Sequence, residues 1–206
     1  INLYNELIDE NEENYYVISN NSLIDYGTYL KIFYNYNYEV IENKKFSNID
    51  GNIIKVNEKI INSKKSKLFF EEKLKNKVNF RFNYEVKKII KNKDNKIVIN
   101  DEYECDFLFD CTYNNLNLNK SKKYIYEKSL SLIYKRKNYD KFSLTVMDGN
   151  FFSIYPHFID DNIYTLTSVK ETPLIKTTNL KKLNLEFDIN SKIKKFENEV
   201  LKIYNN

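Results

Sequence analysis

The sequence predicts an α+β protein, and three observations support this prediction. Apolar residues recur at helical spacing in residues 23–34 and 189–203. Residues 142–169 instead alternate apolar and polar side chains, which is typical of strands with one buried face. Between these segments, residues 78–112 hold short strand-like runs that turn residues separate. We therefore expect a few helices together with a largely antiparallel sheet.

The first part of the chain predicts two strands around a helix. Residues 15–18 form a short run of β-branched and aromatic side chains, as strands do. Asn21 or Ser22 is the expected N-cap of a helix over residues 23–34. Residues 53–60 then alternate in the manner of a strand.

A second helix and a group of strands are expected next. Asn62 or Ser63 is the predicted start of that helix. Residues 78–82 and 84–91 each alternate as strands do, and a turn leads to a further short strand. Residues 106–112 are apolar on both faces in their middle, which predicts a strand buried in a sheet.

The second half of the chain predicts an antiparallel sheet followed by a helix. Asp148 and Gly149 are a strong signal for a hairpin turn between two of its strands. Pro173 is the expected end of the sheet, and Asp188 or Asn190 is the expected cap of the last helix. The predicted strands are residues 130–134, 142–147, 151–155 and 163–169.

Composition and charge exclude several classes of protein. The 16% of aromatic residues disfavour intrinsic disorder. The 33 basic and 29 acidic residues are interspersed, whereas a nucleic-acid interface favours a clustered basic stripe. No apolar run approaches the roughly 20 residues of a membrane span. We expect a cytoplasmic protein with neither nucleic acid nor membrane as a partner.

Cysteine and histidine indicate neither a disulfide nor a metal site. Cys105 and Cys111, on one extended segment, would lie roughly 20 Å apart at about 3.3 Å per residue. A disulfide needs Cα atoms within about 7 Å, so both are expected to be free thiols. His157 is the single histidine, and no Cys stands at ligand spacing from it. Catalytic triads and glycine-rich phosphate loops are likewise not recognisable.

The order of elements over residues 79–112 resembles the FAD domain of glutathione-reductase-like and D-amino-acid-oxidase-like flavoproteins. In that family, a Val in an x-V-x-x-I segment places its backbone beside the adenine, and Val86 holds this position. A later strand of the family ends near the dinucleotide in an A-T-G sequence. Cys111 and Thr112 resemble its first two residues, and Tyr113 stands where the family usually has Gly. The resemblance implies FAD as cofactor, with Val86, Cys111 and Thr112 at its site.

Residues 142–174 resemble the antiparallel substrate domain of D-amino-acid-oxidase-like oxidoreductases. The resemblance implies an α/β FAD-domain portion joined to an antiparallel β-sheet substrate-domain portion. It also implies a small-molecule substrate that contacts Tyr155, Thr145 and Thr167. The C–N or C–H bond of this substrate would be oxidised by hydride transfer to flavin. The implied divisions are residues 1–60 and 119–206 for the substrate domain, and residues 61–118 for the FAD domain.

The family places a G-x-G-x-x-G unit ahead of the segments seen here, and a glycine-rich segment after them. We therefore expect this sequence, which begins at Ile1, to be the central portion of such an enzyme. The alternative is a non-catalytic α+β module that binds a ligand or a protein through a tyrosine-rich antiparallel sheet. A weaker third hypothesis is nucleic-acid binding, against which the interspersed charges argue.

Overall fold

The structure, a computed structural model, describes residues 2–8, 12–42, 46, 48–112, 116, 118, 123–135, 141–149, 151–157 and 162–202. Helical elements among these residues are α1 (Tyr26–Ile32), α2 (Ser63–Leu74), α3 (Ile189–Leu201) and the 3-10 helices Asn2–Leu7 and Leu180–Asn184. Strands are β1 (Glu13–Ser19), β2 (Tyr38–Ile41), β3 (Gly51–Val56), β4 (Ile89–Lys91), β5 (Ile97–Ile99), β6 (Tyr103–Cys105), β7 (Tyr126–Ser129), β8 (Leu132–Lys135), β9 (Phe142–Met147), β10 (Phe152–Pro156), β11 (Ile163–Ser168) and β12 (Pro173–Thr177).

Strands from both halves of the chain form one seven-stranded sheet, in the order β2-β3-β1-β9-β10-β11-β8. Within it, β1 and β9 run parallel, and the other neighbours run antiparallel. A second, two-stranded sheet pairs β7 with β12, and β4, β5 and β6 form an antiparallel meander. Helices combined with mainly antiparallel sheets make this an α+β fold, as the sequence predicts.

The chain divides into two compact units. The first unit comprises Ile1–Glu72 and Ile125–Asn206, and it contains the seven-stranded and two-stranded sheets. The second unit comprises Lys73–Tyr124 and contains the meander. Among the described residues of both units, no helix has the length and apolar character needed to cross a lipid bilayer.

The main core of the first unit lies on one face of the seven-stranded sheet. Side chains alternate between faces along a strand, so Tyr15 and Val17 of β1 share this face. They lie beside Leu144 and Val146 of β9 in the parallel register. All four are buried in one cluster with Phe196 of α3, which has no exposed surface. The apolar stripe of α3 therefore covers this face.

A smaller core lies on the opposite face of the same sheet, where α1 covers β1 and β3. Ile18, Ile54 and Val56 are buried here together with Tyr29 of α1. Phe33, at the C-terminal end of the helix, packs against the same cluster. Burial on both faces matches the consecutive apolar residues Val17-Ile18 in β1 and Ile53-Ile54 in β3.

The helix caps agree with the sequence at two of three helices. Asn62 accepts a hydrogen bond from the backbone N–H of Lys65 (3.0 Å), and Asp188 caps α3 as expected. The prediction that Asn21 or Ser22 caps the first helix is wrong. Asp25 is the cap, because its carboxylate accepts from the backbone N–H of Thr28 (3.0 Å).

Three strand predictions in the second unit are wrong. Residues 78–82 and 106–112 form no strand, and the strand expected over residues 84–91 is confined to β4. Phe107 and Phe109 are 81% and 87% exposed, so this segment is not buried. Residues 78–82 and 106–112 alternate as strands do, but among the described residues no strand pairs with either segment. A strand forms only where a neighbour accepts and donates its backbone hydrogen bonds.

Proline and glycine positions have local explanations. Pro173 does not end the sheet as predicted; it begins β12, a position where the missing N–H is tolerated. The predicted hairpin turn at Asp148 and Gly149 is confirmed by positive φ angles of 63° and 91°.

Gly51 has a φ of 145°, and a Cβ there would lie 2.5 Å from the carbonyl oxygen of Ile18. Glycine therefore permits the close approach of β3 to β1.

Packing of α3 on the main core predicts a large effect of truncating its central aromatic residue. Phe196→Ala is expected to lower the free energy of unfolding by about 3–5 kcal/mol, because it leaves a cavity in a fully buried site. Leu201→Ala is the control on the same helix, and its side chain is 44% exposed. It should cost less than about 1 kcal/mol. Urea unfolding followed by circular dichroism measures both, and equal losses would contradict the packing described.

Candidate functional site

A row of hydroxyl groups crosses three adjacent strands of the seven-stranded sheet. Ser153 of β10 lies opposite Thr145 of β9 on one side and opposite Thr167 of β11 on the other. The hydroxyl oxygens of Thr145 and Ser153 are 3.1 Å apart and share a hydrogen bond. Tyr155 lies two residues beyond Ser153 and shares its face. The structure thus brings together Thr145, Thr167 and Tyr155, which the sequence proposes as substrate contacts.

Ser153 is a member of this row that sequence reasoning missed. Alternation along β10 already places it on the face of Tyr155, so the signal was present. The three row members are half-buried, and the Tyr155 side chain is 38% exposed. A ligand can therefore reach the phenol, while the sheet holds the other hydroxyls in fixed positions.

The hydroxyl row belongs to the face on which α1 packs, but to the half of that face beyond the α1 cluster. Tyr16 lies next to Thr145 in the parallel register and packs against the α1 cluster. From Thr145 to Thr167 the row carries hydroxyls in place of apolar side chains. The main core lies on the opposite face, so these hydroxyls are not part of it.

An open cavity of about 530 Å³ lies on the other side of Tyr16. The Tyr16 hydroxyl donates a 2.5 Å hydrogen bond to the carboxylate of Glu58. Burial, this hydrogen bond and the negative charge of Glu58 all raise the pKa of Tyr16 well above its usual value. The lining residues are Tyr16, Phe33, Asn35, Tyr36, Asn37, Val56, Asn57 and Glu58.

Two polar atoms at opposite ends of β10 are shielded from solvent and lack a hydrogen-bond partner within the described part of the chain. They are Oδ2 of Asp148 and Nδ1 of His157. Burial and the charge of Asp148 raise the pKa of Tyr29 on α1. His157 follows β10, and its backbone N–H donates to the carbonyl oxygen of Ile163 (2.8 Å).

Across the described residues, no group of His, Cys, Asp and Glu has the arrangement of a metal site.

The three residues for which the resemblance implies contacts with FAD lie in the second unit. Val86 is half-buried in the irregular segment that precedes β4. The amide of Asn100 holds this segment on both sides of Val86. Its oxygen accepts from the backbone N–H groups of Lys87 (2.8 Å) and Lys88 (3.0 Å), and its nitrogen donates to the carbonyl of Glu85 (2.8 Å). Asn100 itself has a φ of 52°, which asparagine tolerates well.

The backbone groups of Val86 remain available in this arrangement. Within the described ranges, neither its N–H nor its C=O makes a hydrogen bond. The free N–H of one residue can donate to a ligand while its free C=O accepts from the same ligand. Such a residue matches a ligand edge on which an acceptor stands beside a donor. The adenine of FAD, the ligand that the resemblance implies for Val86, has such an edge.

Cys111 and Thr112 lie on the irregular segment after β6, outside any strand. The backbone N–H and hydroxyl of Thr112 both donate to Asp110, at 2.9 Å and 2.6 Å, and lower the pKa of its carboxyl group. Cys111 is exposed and, like Cys105, is a free thiol. Tyr113, the departure from the family pattern, lies outside the described residues. The local turn alone gives these two residues no cofactor-specific geometry.

Comparisons with family models, with curated proteins and with solved structures find no match to this chain.

The bridging amide of Asn100 predicts a local effect on exchange of the neighbouring backbone. Asn100→Ala is expected to accelerate hydrogen exchange at the amides of Lys87 and Lys88 by about tenfold, because their acceptor is removed. Asn100→Asp keeps the acceptor and loses only the donor to Glu85, so both amides should stay protected. Exchange measured by NMR distinguishes the variants. Equal exchange in the wild type and in Asn100→Ala would contradict the clamp.

The raised pKa of Tyr16 predicts a loss of stability in alkali. Tyr134 of β8 has a raised pKa for the same kinds of reason: burial, a 2.8 Å hydrogen bond to Glu197, and the charge of that residue. Between the usual tyrosine pKa of about 10 and the higher folded values, only the unfolded state loses these protons. Stability is therefore expected to be full below about pH 10 and to fall as the pH rises above it.

The check is the urea midpoint at pH 9 and at pH 10.5, compared between the wild type and the double variant Tyr16→Phe/Tyr134→Phe. The variant lacks both titrating groups, so its midpoint should fall less between the two pH values. An equal fall in both proteins would show that other groups cause the alkaline destabilisation.

Proposed function

We propose that the chain is the central portion of an FAD-dependent oxidoreductase that oxidises a C–N or C–H bond of a small substrate. The observation that supports this most directly is the Val86 segment, whose backbone donor and acceptor are left unpaired between the clamped residues. The sequence resemblance assigns that residue to the adenine of FAD, and the free groups have the required chemistry. When bound, FAD would supply the acceptor for the substrate hydride.

Two segments that flank the meander have the pattern of strands but no partner strand among the described residues, as the proposed enzyme would require. Residues 78–82 and 106–112 alternate as strands do, yet the described residues hold no partner for them. The exposed rings of Phe107 and Phe109 are what a strand outside its sheet would present. In the proposed enzyme, further strands of the FAD domain would pair with these segments and bury them.

Substrate binding is assigned to the hydroxyl row of the first unit. Each of Thr145, Ser153 and Thr167 can both donate and accept a hydrogen bond, and Tyr155 adds a phenol with an apolar ring. These groups can hold a small polar substrate and orient the carbon that loses hydride. The cofactor carries the chemical step, so these side chains need only bind and orient the substrate.

The alternative is a non-catalytic α+β module that binds a ligand or a protein through its tyrosine-rich sheet. The open cavity beside Tyr16 favours this second function, because aromatic and amide side chains converge there. The two functions predict different coding sequences on either side of these 206 residues. A strand–helix unit with G-x-G-x-x-G ahead of them supports the flavoenzyme, whereas a start codon and a stop codon that bound them closely support the module.

Flavin binding tests the proposal in two proteins. The 206-residue chain alone is expected to bind FAD more weakly than about 100 µM, since the phosphate-binding unit is not part of it. The protein expressed from the extended reading frame should retain FAD through gel filtration. Fluorescence titration measures both affinities. Micromolar binding by the 206-residue chain would contradict the central-portion assignment, and an extended protein without flavin would contradict the enzyme.

A matched pair of substitutions tests the role of Val86 in the extended protein. Val86→Pro removes the backbone N–H and should weaken FAD binding by about tenfold, the cost of one hydrogen bond. Val86→Ala keeps both backbone groups and should bind FAD nearly as the wild type does. Equal affinity of the two variants would remove Val86 from the cofactor site.

A further inference from the structure

The cavity beside Tyr16 has the size and position of a small-molecule site that the proposed oxidation does not use. It lies where α1 ends and β3 ends, and Phe33, Val56 and Glu58 contribute to its wall. Its volume of about 530 Å³ is within the usual range of ligand pockets. All of its lining residues belong to the first unit.

Three aromatic rings form one wall of this cavity. Phe33 lies at the centre, with the Tyr16 ring centroid 5.8 Å away and the Tyr36 ring centroid 5.9 Å away. Both pairs are edge-to-face, with interplanar angles of 74° and 61°. Tyr36 is 67% exposed, so most of its ring is open to a ligand. An open aromatic ring of this kind can stack against the C–H face of a sugar.

Amide groups form the polar part of the lining. Among the described residues, the side-chain amides of Asn35, Asn37 and Asn57 make no hydrogen bond to another residue. Each amide offers two donors and one acceptor oxygen. A sugar hydroxyl also donates and accepts, so neighbouring hydroxyls of one ring can pair with these groups.

Charge in the lining favours a neutral ligand. Among the described residues that line the cavity, none is Lys or Arg, so these residues offer no cation to neutralise an anion. Of the lining residues that the structure describes, only Glu58 is charged, and its carboxylate already accepts a hydrogen bond from the Tyr16 hydroxyl. An ammonium ligand would need that carboxylate, whereas a neutral polyol can use the three amides.

We propose that this cavity binds a neutral monosaccharide or disaccharide, with the ring of Tyr36 stacked on the sugar and the three amides bound to its hydroxyls. Its described lining residues include no member of the hydroxyl row and none of the residues that the resemblance assigns to FAD. Its occupancy therefore does not depend on the proposed oxidation.

The test uses the 206-residue chain and a panel of methyl glycosides of glucose, galactose, mannose and N-acetylglucosamine. Each is titrated by two-dimensional NMR, with choline as the rival cationic probe. At least one glycoside is expected to bind with a millimolar dissociation constant and to shift the amide signals of residues 33–37 and 56–58. No shift with any glycoside, or shifts with choline alone, would overturn the proposal.

Two tyrosines give a matched control. Tyr36→Ala should weaken glycoside binding about tenfold, because the stacking ring is lost. Tyr34 is 80% exposed and does not line the cavity, so Tyr34→Ala should leave binding unchanged. Both residues are exposed, and circular dichroism checks that both variants stay folded. Equal affinities in the two variants would overturn the stacking assignment.

Glu58→Gln separates a neutral sugar from a cation. It removes the charge and keeps an acceptor, so glycoside affinity should change by less than about threefold. A loss of tenfold or more would indicate a charge-dependent ligand and would contradict the proposal. Because FAD takes no part, failure of this test leaves the flavoenzyme assignment unaffected.

Discussion

The parallel pairing of β1 with β9 is the constraint on which the first unit depends. On one side β1 pairs with β3, and on the other side β9 pairs with β10. Without the parallel pair, β2-β3-β1 and β9-β10-β11-β8 would be two separate antiparallel sheets. A parallel pair needs a long crossover, and here the crossover includes two helices and the whole second unit. The strands that form the sheet therefore come from both ends of the sequence.

The register of this pair decides which side chains share a face. Val17 lies beside Val146 in the main core, and both are almost completely buried. A shift of one residue would turn these side chains to the opposite face, so burial fixes the register. The same register places Tyr16 beside Thr145 on the other face. The apolar core thus positions the aromatic cavity and the hydroxyl row next to each other, although neither belongs to that core.

Local patterns predicted the elements that depend on their own residues. The strands over residues 142–169 and the helix that Asp188 caps were found from alternation, helical spacing and one capping carboxylate. Pairing between distant segments could not be predicted, because alternation shows that a strand has two faces but does not identify its neighbour. Residues 78–82 and 106–112 show the same limit, since alternation without a neighbour produced no strand.

In the meander, asparagine side chains provide hydrogen bonds that the short strands cannot. Its three strands have only three residues each, so their ladders are short. Asn92 accepts from the backbone N–H groups of Asp94 (3.0 Å) and Lys96 (2.9 Å) in the first turn, and Asn100 fixes the segment before β4. Asn95 and Asn100 also adopt positive φ angles, at 61° and 52°, that most residues avoid. Asparagine is abundant throughout this sequence, but at these positions it has a structural role. The conformation of the segment around Val86 depends on one such side chain, that of Asn100.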